Sequence, residues 1–339
     1  MFRQLIVVGI VALLGLLAGT WWLERALNEP LAVPVEGYQF IAGKGDGVYR
    51  IAHKLEEAGV VRHAIALRLY AKITDRDQVR AGEYALVQGD TIKTLLDKLQ
   101  KGRTVQYKVT IPEGLTLAQW LGLLQEQPNI DRRLSLNFRD ELAAILGHAA
   151  DRLEGWFAPD TYVYSSGDSD VEILQRAYQR MTTIMAEQWE QRAKELPYQS
   201  PEEALVMASI IEKETGVAEE RDEIAGVFVR RLRKGMRLQT DPTVIYGLGD
   251  TYRGNLTRAH LQMPTPYNTY LIDGLPPTAI ANPGEAAIHA ALHPRPGNTL
   301  FFVAKGDGSH HFSATLGEHN EAVRRYQLRR KSDYRSSPK

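Results

Sequence analysis

The chain has no cysteine among its 339 residues, which excludes disulfides and thiolate sites. That absence also suits an oxidising compartment, where a free thiol is a liability. An excess of charge is missing too: 41 basic residues balance 41 acidic ones, so no global field draws the chain to nucleic acid, and no nucleic-acid partner is expected. There is no G-x-S-x-G elbow, and the one S-x-x-K, Ser336 to Lys339, falls in the terminal tail. Nine histidines include His310, His311 and His319, yet no H-E-x-x-H or comparable spacing occurs. Neither a catalytic metal nor another cofactor is expected.

What the sequence does have is one long apolar run. Leu5 to Leu23, LIVVGIVALLGLLAGTWWL, carries no charge and approaches the ~20 residues that a helix needs to cross a bilayer. Trp21 and Trp22 sit where an aromatic belt would lie, and Arg3 marks residues 1–4 as a short cytoplasmic leader. The run is longer than the apolar part of a usual signal peptide, and no clean cleavage site follows it. LAGT has the shape of a lipoprotein cleavage box, but Thr20 stands where the lipid-bearing cysteine would have to be. The reading is a single-pass inner-membrane anchor over 5–23, with the bulk of the chain in the periplasm.

Residues 24–37, ERALNEPLAVPVEG, hold two prolines and no clear period, and read as a tether. Residues 38–104 form a small βα module: a strand, a Gly-rich turn, a helix carrying Val48, Ile51, Ala52 and Leu55, a second helix over AIALRLYAKI, then a strand, a turn at Gly89-Asp90 and a helix stopped by Gly102. Gly43, Gly45 and Gly47 make neither G-x-G-x-x-G nor a Walker loop, so the turn carries no phosphate-binding signature. The module looks like a LysM-type unit, which implies contact with amino-sugar polymers. Residues 105–339 form a larger α+β domain. Helical periodicity covers about 169–195, 202–215 and 218–234; MRLQTDPTVIYGLG (236–249) alternates into a strand; and TLFFVA, an Asp307-Gly308 turn, HHFSA and a Thr315/Glu318-capped helix close it. His310 and His311 are expected on the strand-edge surface. Arg324, Arg325, Arg329, Arg330 and Lys331 make a basic end that reads as a solvated helix face.

Two glutamates in MASIIEKETG bear on chemistry. On a helical wheel with Leu205 at zero, Val206, Met207, Ile210 and Ile211 fall between about 100° and 240°. Glu214 lands near 180° and Glu212 near 340°, beside Ser209, so the two cannot pair in one cleft. Glu212 reads as a solvated or salt-bridged residue. Glu214 has two outcomes open: the helix end frays and its carboxyl reaches water, or it stays on the apolar side, where lost hydration raises its pKa towards that of a general acid. Further along, Gln239, Asp241 and Tyr246 lie within ten residues of one another. Asn268 and Tyr270 stand in TPYNTYLIDGLPPTAIANPG, a long loop of the kind that binds ligands. Tyrosines and amides beside a lone acid suit a sugar, although Asp241-Pro242 could simply build a turn and the tyrosines could pack a core.

LVMASIIEKETGVAEERDEIAGVFVRRLRKGMRLQTDPTVIYGLG, TPYNTYLIDGLPPTAIANPG, FFVAKGDGSHHFSATLGEHN, EGWFAPDTY and GKGDGVYRIAHKL closely resemble the YceG-like endolytic murein transglycosylases of bacterial inner membranes. The resemblance covers nearly the whole chain after the anchor. It implies that Glu214, the second glutamate of EKET, is the catalytic acid. It also implies cleavage of the β-1,4 bond between N-acetylmuramic acid and N-acetylglucosamine within peptidoglycan glycan strands, giving 1,6-anhydro ends without water, and association with glycan-polymerising synthases. Gln239, Asp241, Tyr246, Asn268 and Tyr270 are assigned to sugar contacts or to orienting Glu214. Two other readings stay open. One is a hydrolytic muramidase, with Asp241 as its second carboxylate; the other is an inactive glycan-binding scaffold.

Overall fold

The structure, a computed structural model, describes residues 2–135 and 137–327. It comprises two compact units. The first runs from the start of the chain to Lys108, with 129–131 and 163–168; the second takes 109–128, 132–162 and the chain from Ser169 on.

In the first unit α1 (Phe2–Asn28) leads to β1 (Tyr38–Ala42), α2 (Val48–Glu57), α3 (Ala64–Ile73), β2 (Gly82–Leu86) and α4 (Ile92–Lys101). β1 and β2 pair antiparallel from Tyr38↔Leu86 to Ala42↔Gly82. Val48, Ile51, Ala52 and Leu55 of α2, and Ile92, Leu95, Leu96 and Leu99 of α4, are buried with Tyr84 in one hydrophobic core. Local chemistry sets the ends of α4: Thr91 and Thr94 cap its start reciprocally, and Gly102 ends it at φ 62°. The Gly-rich turn is built around its own anion. Asp46 accepts from Gly43 N–H at 2.9 Å and pairs with Lys54 and Arg50 at 3.0 and 2.6 Å. These contacts, Lys54 foremost, hold its carboxyl down to about 2.

Within α1, Ile6–Asn28 is long and apolar enough to cross a membrane. Residues 24–37, expected to be a tether, are instead held against the first unit's core. Residues 24–28 continue α1, and Ala26, Leu27, Leu31 and Val33 are buried in the first unit's core. Backbone bonds from Leu31 N–H to Asp90 O (2.7 Å) and from Ala32 N–H to Val60 O (2.9 Å) bind the segment down. Its prolines break periodicity without freeing the chain.

The second unit contains α5 (Leu117–Gln125), α6 (Phe138–Leu146), α7 (Asp170–Glu190), α8 (Pro201–Glu214), α9 (Arg221–Arg233), α10 (Asp241–Leu248), α11 (Arg258–Leu261), α12 (Glu285–Leu292) and α13 (Leu316–Tyr326). Strands β3 (Gln106–Ile111) and β4 (Asp160–Ser165) pair with each other, as do β5 (Phe301–Ala304) and β6 (His310–Ser313). Helices α7, α8, α9 and α13 stand where periodicity places them, and the Thr315–Glu318 capping box is formed. The strand expected from Met236 is instead irregular chain followed by α10. Asp241 and Pro242 in a first turn are a helix start, since proline there forfeits no hydrogen bond. His310 is buried, its Nδ1 2.7 Å from Glu220, so it is not strand-edge surface. Arg329, Arg330 and Lys331 lie outside the described residues.

Helix α8 runs through the core. Ser200 caps its start, Pro201 opens it, and every residue from Ala204 to Ile211 is buried, among Ile224 and Phe228 of α9 and Ile288 and Ala291 of α12. A helix apolar all round has no wet face. Glu212 is accordingly half-buried, not solvated: it accepts from Gly284 N–H at 3.1 Å, and burial pushes its pKa up. Asn282 knits the neighbouring loops. Its amide donates to Leu115 O (3.0 Å) and accepts from Phe157 N–H (3.1 Å), while Gly155, at φ 89°, lets the 153–158 loop approach Ala279. Asn282→Ala leaves the buried Phe157 N–H without its acceptor, while Leu115 O keeps the backbone N–H of residue 282. It is expected to lower stability by about 1–3 kcal/mol, measured by urea unfolding of the detergent-solubilised chain, and an unchanged midpoint would contradict this role.

Candidate active site

Glu214 is the last residue of α8, and Thr215 beyond it turns to extended backbone. The helix therefore neither frays nor continues at this point. A carboxylate at a helix C-terminus faces the negative end of the macrodipole, which favours its protonated form. The Thr240 hydroxyl donates to Glu214 Oε1. Thr240 occupies the N-cap position of α10, but its side chain makes no cap bond; the hydroxyl is committed to Glu214.

A threonine cluster fixes that hydroxyl. Thr240 N–H donates to Thr269 Oγ1 at 3.0 Å, Thr243 Oγ1 donates to Thr240 O at 2.8 Å, and Thr243 and Thr269 hydroxyls meet at 2.8 Å. All three residues are buried. Gln239 just before them takes φ 52° and donates its N–H to Thr269 O at 3.1 Å. Such a left-handed non-glycine residue costs about 1 kcal/mol or more, and here the surrounding bonds enforce it.

Burial is the largest influence on Glu214 and pushes its pKa up to about 7. The Thr240 bond works against the rise, the Asp241 charge adds to it, and the Arg231 charge opposes it. Arg231 is a buried cation that pairs with no carboxylate among the described residues. Its Nε donates to Leu300 O (2.7 Å), its Nη1 to Leu238 O (2.8 Å) and Arg237 O (3.2 Å), and its guanidinium lies 5.1 Å over the Phe301 ring. It thus supports the segment that carries Thr240 and adds positive charge behind the acid. Tyr270 donates to Asp241 at 2.6 Å, and burial raises its pKa above the ordinary phenol value.

Of the predicted residues, Glu214, Asp241 and Tyr270 come together, with Gln239 exposed beside them. Tyr246 is placed otherwise: its hydroxyl donates to Glu154 at 3.2 Å, and its ring stands edge-on to Tyr267 at 4.8 Å. Glu154 is buried and also receives Leu117 N–H and the Arg139 guanidinium, both at 2.7 Å. Asn268 does not face a ligand. It is fully buried, its amide donates to Leu261 O and Met263 O, and it accepts from Tyr270 N–H, so it shapes the loop. The sequence reading missed Thr240 and Arg231. A threonine just before Asp-Pro is a local signal of a helix cap, and Arg231 is one of three arginines in the last turn of α9; nothing local distinguishes the buried one.

The raised pKa has a stability consequence. Between the ordinary glutamate value near 4.5 and the folded value near 7, the folded state holds the proton more tightly than the unfolded state. Stability from this group is therefore full below the lower value and is lost as pH rises through the upper one. Glu214→Gln should exceed the parent in stability at pH 8 by up to about 3 kcal/mol, discounted for partial exposure, and by nothing near pH 4. Paired urea titrations at both pH values test this; a pH-independent difference would contradict it.

Known proteins match this chain along most of its length. Residues 41–325 match the YceG-like family. An endolytic murein transglycosylase of Bacillus subtilis is 32% identical, over 83% of this chain and 82% of its own. One from Streptococcus pneumoniae is 27% identical over 94% of this chain and 64% of its own length. A yceG-like protein of Listeria monocytogenes, known from a crystal structure, shares 30% identity at a TM-score of 0.53, covering 85% of this chain and 99% of that one. With most of the chain inside the family match and a relative above 30% identity along most of both sequences, the chain belongs to the YceG-like family.

Proposed function

We propose that this chain is an endolytic peptidoglycan lytic transglycosylase with Glu214 as its single acid and base. The observation that carries the reading is a carboxyl group at the end of a buried helix, bonded by Thr240, whose burial pushes its pKa up to about 7. The names of the relatives from Bacillus subtilis and Streptococcus pneumoniae support the reaction class.

Protonated Glu214 gives its proton to the glycosidic oxygen as the bond from muramyl C1 to that oxygen breaks. The resulting carboxylate then takes the proton of the muramyl C6 hydroxyl as that oxygen bonds to C1. The 1,6-anhydro ring forms, the glucosamine 4-hydroxyl is freed, Glu214 ends protonated as it began, and no water is consumed. A pKa near the working pH favours both halves of this cycle. Asp241, with Tyr270 donating to it, and exposed Gln239 are the groups placed to touch sugar hydroxyls; Tyr246 and Asn268 hold the walls.

The remaining assignments follow from the same reading. The β1-α2-α3-β2 arrangement of the first unit supports a LysM-like module that touches amino sugars. The apolar α1 supports a single-pass inner-membrane anchor with the bulk of the chain in the periplasm. Cutting near the membrane would set the length of nascent strands beside glycan-polymerising synthases.

Mass spectrometry of intact glycan strands treated with the detergent-solubilised full chain tests the reaction. The parent should yield anhydro-ended fragments, and Glu214→Gln should be slower by about 10²- to 10⁴-fold or more. Products heavier by one water, with reducing ends, would mean hydrolysis with Asp241 as the second carboxylate. Intact strands from the parent would mean a scaffold. The rate should fall as pH rises above about 7, because the first step needs the neutral acid. That limb should move to higher pH in Thr240→Val, which loses a bond favouring the carboxylate, and to lower pH in Asp241→Asn.

A further inference from the structure

The outer face of α3 has a composition that a water-facing surface does not require. Ile65, Leu69 and Ile73 are 58%, 41% and 70% exposed. At ~100° per residue they span an arc of about 80°, with Arg68 and Lys72 on the adjoining ~60°. Ala66, Leu67 and Ala71 occupy the opposite side, which packs into the first unit. The helix AIALRLYAKI contains no acidic residue. Single exposed apolar side chains are ordinary, whereas a line of three along one helix, edged by cations, marks a contact surface.

The placement of this face relative to α1 identifies what it contacts. No flexible tether separates the apolar helix from the first unit, because Ala26 and Leu27 of α1 are buried in that unit's core. The Trp22 ring stands edge-on to His63, the residue just before α3, at 5.6 Å. Arg62 pairs with Glu29 at 2.9 Å, and Lys93 with Glu24 at 2.7 Å. If Trp22 lies in the aromatic belt of a spanning helix, the first turn of α3 lies at the lipid-water boundary. Arg68 stacks 4.3 Å over Tyr49, which is 70% exposed and adds an aromatic of the kind enriched at that boundary.

We propose that α3 is an interfacial helix that rests on the bilayer beside the anchor, with Ile65, Leu69 and Ile73 in the headgroup zone and Arg68 and Lys72 on lipid phosphates. The proposal rests on α1 being the membrane anchor. It makes the first unit a membrane-seated base, in place of a domain swinging on a linker.

The cysteine-free chain allows single-site fluorescent labelling of the whole protein. Ile65→Cys, Leu69→Cys and Ile73→Cys are compared with Leu13→Cys in α1 and Glu57→Cys on α2, each in full-length protein reconstituted in vesicles of phosphatidylcholine and phosphatidylglycerol. Quenchers are placed on lipid headgroups, in mid-acyl chain, or in water as iodide. Labels at 65, 69 and 73 should respond to the headgroup quencher, 13 to the mid-chain quencher and 57 to iodide alone. Adding Arg68→Glu with Lys72→Glu should at least halve headgroup quenching at 65, 69 and 73 and leave 13 unchanged. Iodide quenching at 65, 69 and 73 with 13 still immersed would overturn the proposal and leave the anchor standing. Iodide quenching at 13 would remove the anchor and the proposal together. Labels at 65, 69 and 73 shielded from all three quenchers would overturn it in favour of a protein partner or a second copy.

Discussion

Eight consecutive residues of α8, Ala204 to Ile211, are closed off from water, and the acidity of Glu214 depends on that burial. A helix packed on every side reaches its C-terminus with the last carboxyl still inside protein surroundings. The desolvation that disfavours the Glu214 carboxylate is thus a by-product of how α8 is held between α9 and α12. Burial alone pushes the carboxyl towards its protonated form. The Thr240 hydroxyl and the Arg231 charge act in the opposite sense and bring it near neutrality.

Both counterweights depend on one short segment. Arg231 holds the carbonyls of Arg237 and Leu238, Gln239 takes a left-handed turn, and Thr240 arrives with its hydroxyl on Glu214. The three threonines then fasten this segment to the loop that carries Tyr270. Thr240 acts on the acidity of Glu214 directly, through its hydrogen bond, and Arg231 through its charge; the remaining contacts act by holding Thr240 in place. Neighbouring Asp241 is exposed and accepts a hydrogen bond from Tyr270.

Features set by neighbouring residues were legible in the sequence. The Thr315–Glu318 cap, the Gly102 stop and the apolar periods of α7 to α9 are local chemistry, and the structure has them. Features set by distant packing were not. The wheel gave α8 one wet face because it could not know that α9 and α12 cover the rest, so Glu212 was misplaced. Two apolar alternations before Asp241-Pro242 resembled a strand, although proline in the first turn starts a helix. Asn268 and Tyr246 have sugar-binding chemistry, but the same groups serve buried loops equally well, and only coordinates separate the two uses. The prolines at 30 and 34 hid a segment whose Leu31 and Val33 are core residues.

The central claim is that Glu214 holds its proton near neutral pH because the fold dries its surroundings. The most direct test is carbon-13 NMR of the glutamate side-chain carboxyls across pH, with the Glu214 resonance assigned by its loss in Glu214→Gln. The account predicts a midpoint near 7 for that resonance. A midpoint at the ordinary glutamate value of about 4.5 would show a hydrated carboxylate and contradict it.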